Sequence, residues 1–421
     1  MLSKRVISIA EPFAYAVLFL LTIRRIIGNG LISLEHQAFE KTIHEMILWV
    51  LTTLMFLWIA YSKSLLQKIL SAWAKNWIFL LFILFALCSI AWSTNIGASI
   101  YRGISLVSCS AIAAYTGLAY SNKSLFRGLW WFFVFVAIAS FVLALLFPSV
   151  GMQIGYPYYG AWRGIFWSKN YMGPMMAFGN LVFLFGIASS WKKLLPLLGN
   201  ILFYLLTALL VYLSKCASAL ILMVILNLVF LLALAWVKWK KLLKKKHYII
   251  GAIVSIFLII FIILNLNFFF GLLGRGTSLT GRFPLWSYLI HKGWMNHPIL
   301  GSGFGATWET NNFRYTTAIA VKWDTTPLVS DNGYIDIFLD LGLVGVALSI
   351  CLILFGLFRV IKHAIKEQTI ISFFPVFVMV FMVIANTTLS FYLNLESFAW
   401  FLMVFALFST TPIPVGKPAE S

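Results

Sequence analysis

What most restricts the fold of this chain is a succession of apolar runs, each long enough to cross a bilayer. They begin near Ile7, Glu45, Trp77, Ile96, Gly128, Asn170, Leu195, Ala217, Tyr248, Gly333, Ser372 and Phe391. A spanning helix needs about 17 to 25 such residues, so about twelve transmembrane helices are expected. The runs from Ile96 and Phe391 are the least marked. Only 10% of the 421 residues are charged and 62% are hydrophobic, whereas soluble domains carry about 25% charge. The expected class is an all-α polytopic membrane protein, with residues 1–421 forming a single integral membrane domain. The first run leads directly into the polytopic pattern, so no cleavable signal peptide is expected.

A net charge of +19 raises the question of nucleic acid, and the placement of the charges argues against it. Counting connections from the N-terminus, the even ones hold Lys63, Lys68 and Lys75; Lys123 and Arg127; Lys192 and Lys193; the run from Lys238 to Lys246; and Arg359, Lys362 and Lys366. The odd connections are poor in Lys and Arg. By the positive-inside rule both termini and the even connections are expected in the cytoplasm. The lysine run then serves topology and contact with anionic lipid. Arg24 and Arg25, at the outer end of the first span, oppose this bias; they either snorkel to lipid phosphates or contribute to an anion site.

The ninth connection stands apart. It is a polar island, residues 271–332, expected to face outward between helices 9 and 10, and long loops of this kind are usually functional. Four polar clusters fall on that side: Arg163, Lys169 and Asn170; Ser214 and Lys215; Arg275 with Arg282; and Asp331 and Asn332, followed by Tyr334, Asp336 and Asp340. Clustered cations there suit a diphosphate, which Arg grips through paired hydrogen bonds. Pro284 is tolerated near a helix start, and Phe283, Trp286, Leu289, Ile290 and Trp294 follow helical spacing. Arg282 is therefore expected at the N-terminus of a short amphipathic helix, whose free N–H groups also favour an anion. Such a helix, lying at the interface, could cap a lipid-facing cavity.

Plainer readings stand beside these. Arg163, Lys169 and Lys215 each serve equally as lipid-phosphate anchors, Asp331 as the N-cap of the next span, and His291 and His297 as interface residues. The cysteines Cys88, Cys109, Cys216 and Cys351 read as packing residues. No residues have metal-ligand spacing, so neither a metal nor another cofactor is expected. The Gly301-x-Gly-x-Gly run follows no strand and is not a nucleotide loop; it would let the backbone approach a bulky substrate closely.

In order, the motifs Arg163-Gly-Ile-Phe-Trp-Ser-Lys169-Asn170, Ser214-Lys215, Leu279-Thr-Gly-Arg282-Phe-Pro-Leu-Trp286, His297-Pro-Ile-Leu-Gly301-Ser-Gly-Phe-Gly305 and Asp331-Asn-Gly-Tyr-Ile-Asp336 resemble the O-antigen ligase and Wzy-type polymerase superfamily. The match is nearest its exopolysaccharide-polymerase branch and covers roughly the second half of the chain. The resemblance implies a GT-C-type glycosyltransferase of the bacterial inner membrane, with its active site on the periplasmic side. Its donor would be an oligosaccharide on undecaprenyl diphosphate, with neither nucleotide sugar nor metal. Further implied partners are a glycan or lipid acceptor, membrane lipids and a chain-length regulator protein.

By the same resemblance, donor contact falls to Lys215 and Arg282, and the position at which the ligases carry a His holds Asp331. The expected site thus has Asp331 and Arg282 as catalytic residues. Lys215, Arg163, Lys169, Asn170, Arg275, Asn332 and Tyr334 would bind diphosphate or glycan. Three functions compete: a polymerase of lipid-linked repeats, a ligase moving the glycan to a lipid A-core or protein acceptor, and a flippase. A transporter should place polar groups near the midplane and show related halves. Here charges concentrate at the outer edge, which favours an enzyme.

Overall fold

The computed structural model describes residues 38–154, 159–239, 282–309, 311–323, 327, 329–390 and 398–412. The expected spans near Ile7 and Tyr248, Arg24, Arg25, most of the lysine run and Arg275 lie outside these residues. The main helices are α1 Ala38–Ser62, α2 Leu66–Lys75, α3 Trp77–Cys88, α4 Ile96–Ala119, α5 Asn122–Leu146, α6 Lys169–Ser190, α7 Leu194–Leu213, α8 Ala217–Trp239, α9 Arg282–Asn296, α10 Asn311–Val321, α11 Gly333–Glu367, α12 Phe374–Ala385 and α13 Phe398–Ser409. Each of the other ten expected runs holds one of them, α2, α9 and α10 lie between runs, and α3, α12 and α13 are shorter than a full span. No strand occurs among the described residues. Six of these helices are long and apolar enough to cross a membrane, or seven if α1 and α2, bent by 110°, count as one span. The protein is a multi-pass helical membrane protein.

The short connections 120–121, 191–193 and 214–216 make α4 to α8 alternate in direction, apart from the longer excursion 147–168 between α5 and α6. The N-termini of α4, α6 and α8 therefore share one end of the bundle. Polar residues mark the starts: Asn95 accepts from Ala98 N at 3.1 Å, Ser121 from Ser124 N at 3.3 Å and Ser168 from Asn170 N at 3.2 Å. Each satisfies a backbone donor that the first helical turn leaves open.

Helix α6 is the centre of the bundle. Inside the protein, 78% of its apolar window is buried, against 22% for α7 and α8. Phe178 and Phe185 on α6 meet Phe381 and Phe230 with ring centroids 4.8 Å apart in each pair. Asn180 donates to Tyr204 O at 2.9 Å and to Thr207 Oγ1 at 3.3 Å on α7, and accepts from Asn227 Nδ2 on α8 at 3.0 Å. In lipid such bonds hold helices together because the alternative is an unsatisfied polar group. The muted hydropathy of α4 has a related cause. Its small residues face α13, where Trp400 Nε1 donates to Ser110 Oγ at 3.0 Å, and a Cβ on Gly117 would stand 3.0 Å from Phe405 O.

Helix α11 is broken near its start. Gly342 has φ 66° and ψ −164°, a conformation essentially restricted to glycine. The break frees backbone groups that the segment after α9 takes up. Ser302 N and Gly303 N donate to Leu339 O and Asp340 O, both at 2.9 Å, while Leu343 N and Val344 N donate to Pro298 O and Ile299 O at 2.9 and 3.2 Å. Thr94 N also donates to Ser302 O at 2.8 Å. That bond brings the start of α11 to the same end of the bundle as the start of α4. Interrupted backbone at membrane depth persists only where protein satisfies it, and here residues 298–303 do so.

This arrangement revises the reading of the glycine run. Gly301, Gly303 and Gly305 all have positive φ, and their missing Cβ atoms would fall 2.3 Å from the Asp340 carbonyl carbon, 2.5 Å from Ser93 Oγ and 2.4 Å from Arg102 Cγ. The close approach they permit is to the protein's own α11, to Ser93 just before α4, and to α4 itself. The island is also more structured than a loop, since α9 and α10 lie within it.

Candidate active site

Helix α9 starts at Arg282, with Pro284 in its first turn, as the sequence pattern predicts. Leu285, Leu289 and Gly293 are buried along the inner stripe, and Phe283, Ile290 and Trp294 are exposed on the other side. Helix α9 packs on α11. This brings Arg282 to Asp331: one guanidinium nitrogen donates to Asp331 Oδ2 at 3.1 Å, with side-chain exposures of 11% for Arg282 and 32% for Asp331. The pair is sheltered yet open on the carboxylate side. Burial raises the Asp331 pKa above its ordinary value, and the charge and hydrogen bond of Arg282 oppose that rise.

The segment carrying Asp331 is held on both flanks. Ser330 is fully buried. Its N–H donates to Asp336 Oδ1 at 3.2 Å, its carbonyl accepts from Trp286 Nε1 at 2.8 Å, and its hydroxyl donates to Asn332 O at 2.7 Å. On the other flank Asn332 Oδ1 accepts from Tyr334 N at 3.0 Å and Ile335 N at 3.4 Å. Asn332, not Asp331, is thus the N-cap of α11. Asp331 adopts φ 56° between these anchors, a left-handed conformation uncommon outside glycine and tolerated best by Asn and Asp. The backbone turns its carboxylate away from the cap and towards Arg282. Tyr334 donates from its hydroxyl to Val383 O on α12 at 3.1 Å, which ties α11 to its neighbour.

Two carboxylates beyond the cap hold the surrounding segments. Asp336 accepts from Ser330 N, from Trp308 Nε1 at 2.8 Å and from the Ser390 hydroxyl. Asp340, one turn on, accepts from Gly305 N at 2.8 Å and from both the N–H and the hydroxyl of Thr307. Both are completely buried. Next to them Glu309 links Arg102 of α4 and Arg314 of α10, each at 3.3 Å. Sequence reasoning passed over Arg102, Glu309 and Arg314. Acids one turn apart in an apolar helix were a visible signal for Asp336 and Asp340, because lipid makes unpartnered acids expensive.

The remaining candidates gather around the start of α6 and the turn between α7 and α8. Arg163 donates from Nε to Val150 O at 2.8 Å and from a terminal nitrogen to Trp167 O at 3.2 Å, fastening the excursion onto itself. Trp162 N donates to Leu213 O at 3.0 Å. Lys169 is 1% exposed and donates from Nζ to Lys215 O at 3.2 Å. Lys215 itself has φ 50°, with an exposed side chain beside Gly160. Asn170 is half-buried in the first turn of α6.

The structure therefore brings together Arg163, Lys169, Asn170 and Lys215 as one set, and Arg282, Asp331, Asn332 and Tyr334 as another. Both lie at the same end of the bundle, and α12 packs on α8 of the first set and on α11 of the second. Among the described residues no group of three or more His, Cys, Asp or Glu comes together as a metal ion would need.

No curated protein matches the chain in a sequence search. A family model described as O-antigen ligase matches residues 202–350. The matched segment runs from within α7 into α11, so it contains Lys215, the Arg282–Asp331 pair and the carboxylates Asp336 and Asp340, and leaves Arg163, Lys169 and Asn170 outside. That match, over about a third of the chain, bears out the resemblance of this segment to the O-antigen ligase and Wzy-type polymerase superfamily.

Proposed function

We propose that the protein is a glycosyltransferase that polymerises oligosaccharide repeat units carried on undecaprenyl diphosphate, at the outer face of the inner membrane. The observation that carries this reading is the Arg282–Asp331 pair, a sheltered cation and carboxylate inside the family-matched segment. Transfer forms a bond between an acceptor hydroxyl oxygen and the anomeric carbon of the donor sugar. The bond from that carbon to the diphosphate breaks, and its electron pair leaves with undecaprenyl diphosphate. Asp331 takes the hydroxyl proton, and Arg282 neutralises the charge gathering on the leaving group, with Lys215 as a second cation. A single displacement of this kind inverts the anomeric configuration.

The resting ion pair suits such a cycle. Arg282 holds the basicity of Asp331 down until a diphosphate competes for the guanidinium; the carboxylate is then left with its burial and becomes the stronger base. Asn332, already engaged as a cap, and Arg163, already on two carbonyls, serve this site by shaping it. The description of the matched family favours a second reading, a ligase that transfers the glycan to a separate acceptor. Purified protein incubated with lipid-linked repeat units alone separates the two. A ladder of lengths supports the polymerase; transfer that waits for a second acceptor overturns it in favour of the ligase.

A further inference from the structure

We propose that Asp336 is a positioning residue for the reaction: it fixes the segment that carries Asp331 against the helix that carries Arg282. This inference rests on the glycosyltransferase reading of the pair. Asp336 is fully buried, and its hydrogen bonds go to neither member of the pair. Its partners come from three separate stretches of chain: the Trp308 indole, the Ser330 N–H and the Ser390 hydroxyl. Ser330 is the junction. While its N–H is held by Asp336, its carbonyl takes the indole N–H of Trp286, one turn along α9 from Arg282. Arg282 and Asp331 are thus joined directly by their ion pair and indirectly through Trp286, Ser330 and Asp336.

The indirect route keeps the geometry once the direct one opens. When a diphosphate draws Arg282 away from Asp331, the ion pair no longer orients the carboxylate. The left-handed φ of Asp331 is then retained only because the flanking residues determine it. Displacements of about 1 Å from a reactive geometry can cost about 10²-fold in rate. All three partners donate to Asp336, a pattern that a carboxylate accepts. An amide at this position can keep its oxygen towards Trp308 and Ser330 and turn its NH₂ to the Ser390 oxygen.

The test uses full-length protein and a lipid-linked repeat as donor, with Asp336→Asn, Asp336→Ala and Trp308→Phe compared with Asp331→Asn. Asp336→Ala is expected to lower kcat about 10²-fold, leave KM for the donor within about threefold, and move the acid limb of the pH–rate profile set by Asp331. Asp336→Asn should restore most of the rate and the original profile. Trp308→Phe, which keeps the carboxylate, should give a smaller fall in kcat in the same direction and covers the case in which the alanine variant does not fold. An alanine variant with wild-type kcat and pH profile per folded molecule overturns the proposal. So does a folded asparagine variant as slow as alanine, since Asp336 would then act through its charge. Failure of the underlying reading looks different: there Asp331→Asn transfers at the wild-type rate.

Discussion

Replacing Asp331 by asparagine separates chemistry from architecture at this site because the structure assigns the two to neighbouring residues. The cap of α11 belongs to Asn332, so the substitution removes no capping bond. Asparagine also tolerates the left-handed φ of 56°. What is lost in stability is the ion pair with Arg282, whose carboxylate side chain is 32% exposed; partly solvated pairs of this kind contribute about 0–1 kcal/mol. What is lost in rate, if Asp331 is the base, is about 10²–10⁴-fold, equivalent to about 3–5 kcal/mol of barrier. The catalytic effect should far exceed the structural one. The assay is the rate of lipid-linked glycan transfer, alongside thermal unfolding in detergent.

The pH dependence supplies an independent check. Burial raises the Asp331 pKa above 3.8, so the wild-type rate should fall on acidification at a higher pH than an ordinary carboxylate would give. Linkage runs the other way for stability. A carboxyl whose folded pKa is raised contributes stability that is complete below the unfolded value and is lost as pH rises through the folded one. A rate falling towards acid is therefore not this group unfolding the protein. Asp331→His should recover some rate, with a limb near the imidazole value of about 6.5. A folded Asp331→Asn protein that transfers within a few-fold of wild type refutes the base assignment.

Arg282→Ala should reduce transfer by about 10²–10³-fold, and Arg282→Lys should leave only a small residue, because one ammonium does not reproduce paired guanidinium donors; near-wild-type transfer by the alanine variant removes Arg282 from the mechanism. Gly342→Ala places a Cβ 2.2 Å from Ile299 O at φ 66°. The strain alone costs about 1–3 kcal/mol, so a clear fall in Tm or loss of folded protein is expected, and an unchanged Tm would show that residues 298–303 do not seal the break. For orientation, Trp308 is too buried to probe, but Trp191 and Tyr315 are 75% and 61% exposed. With the exposed Cys88 and Cys351 replaced by serine, an impermeant thiol reagent should label Tyr315→Cys and not Trp191→Cys in cells with a permeabilised outer membrane. The opposite pattern reverses the topology.

The helices were legible because each span must satisfy its backbone within itself, which leaves long apolar runs as a direct record. The start of α9 was legible for a local reason too, since Pro284 fits only a first turn. The identity of the cap was not. Asp and Asn cap about equally well, and both stand before Gly333, so only the backbone, extended at Asn332 and left-handed at Asp331, decides between them. The break at Gly342 was hidden in the same way: glycine is common in membrane helices, and nothing near it in sequence announces that residues 298–303 take up the freed groups.

The site itself follows from that division of labour. If Asp331 capped α11, its carboxylate would be spent on the amides of the first turn and unable to face Arg282. Because Asn332 caps instead, the chain can turn left-handed one residue earlier and present a carboxylate to α9. Ser330 and Asp336 hold that turn in place, and Asp336 itself is held by Trp308 and Ser390 from elsewhere in the chain. An acid at the fourth residue of an apolar helix reads in sequence as a liability in lipid. In the folded protein it is the point at which the segment bearing Asp331, through Ser330, is tied to the segments bearing Trp308 and Ser390.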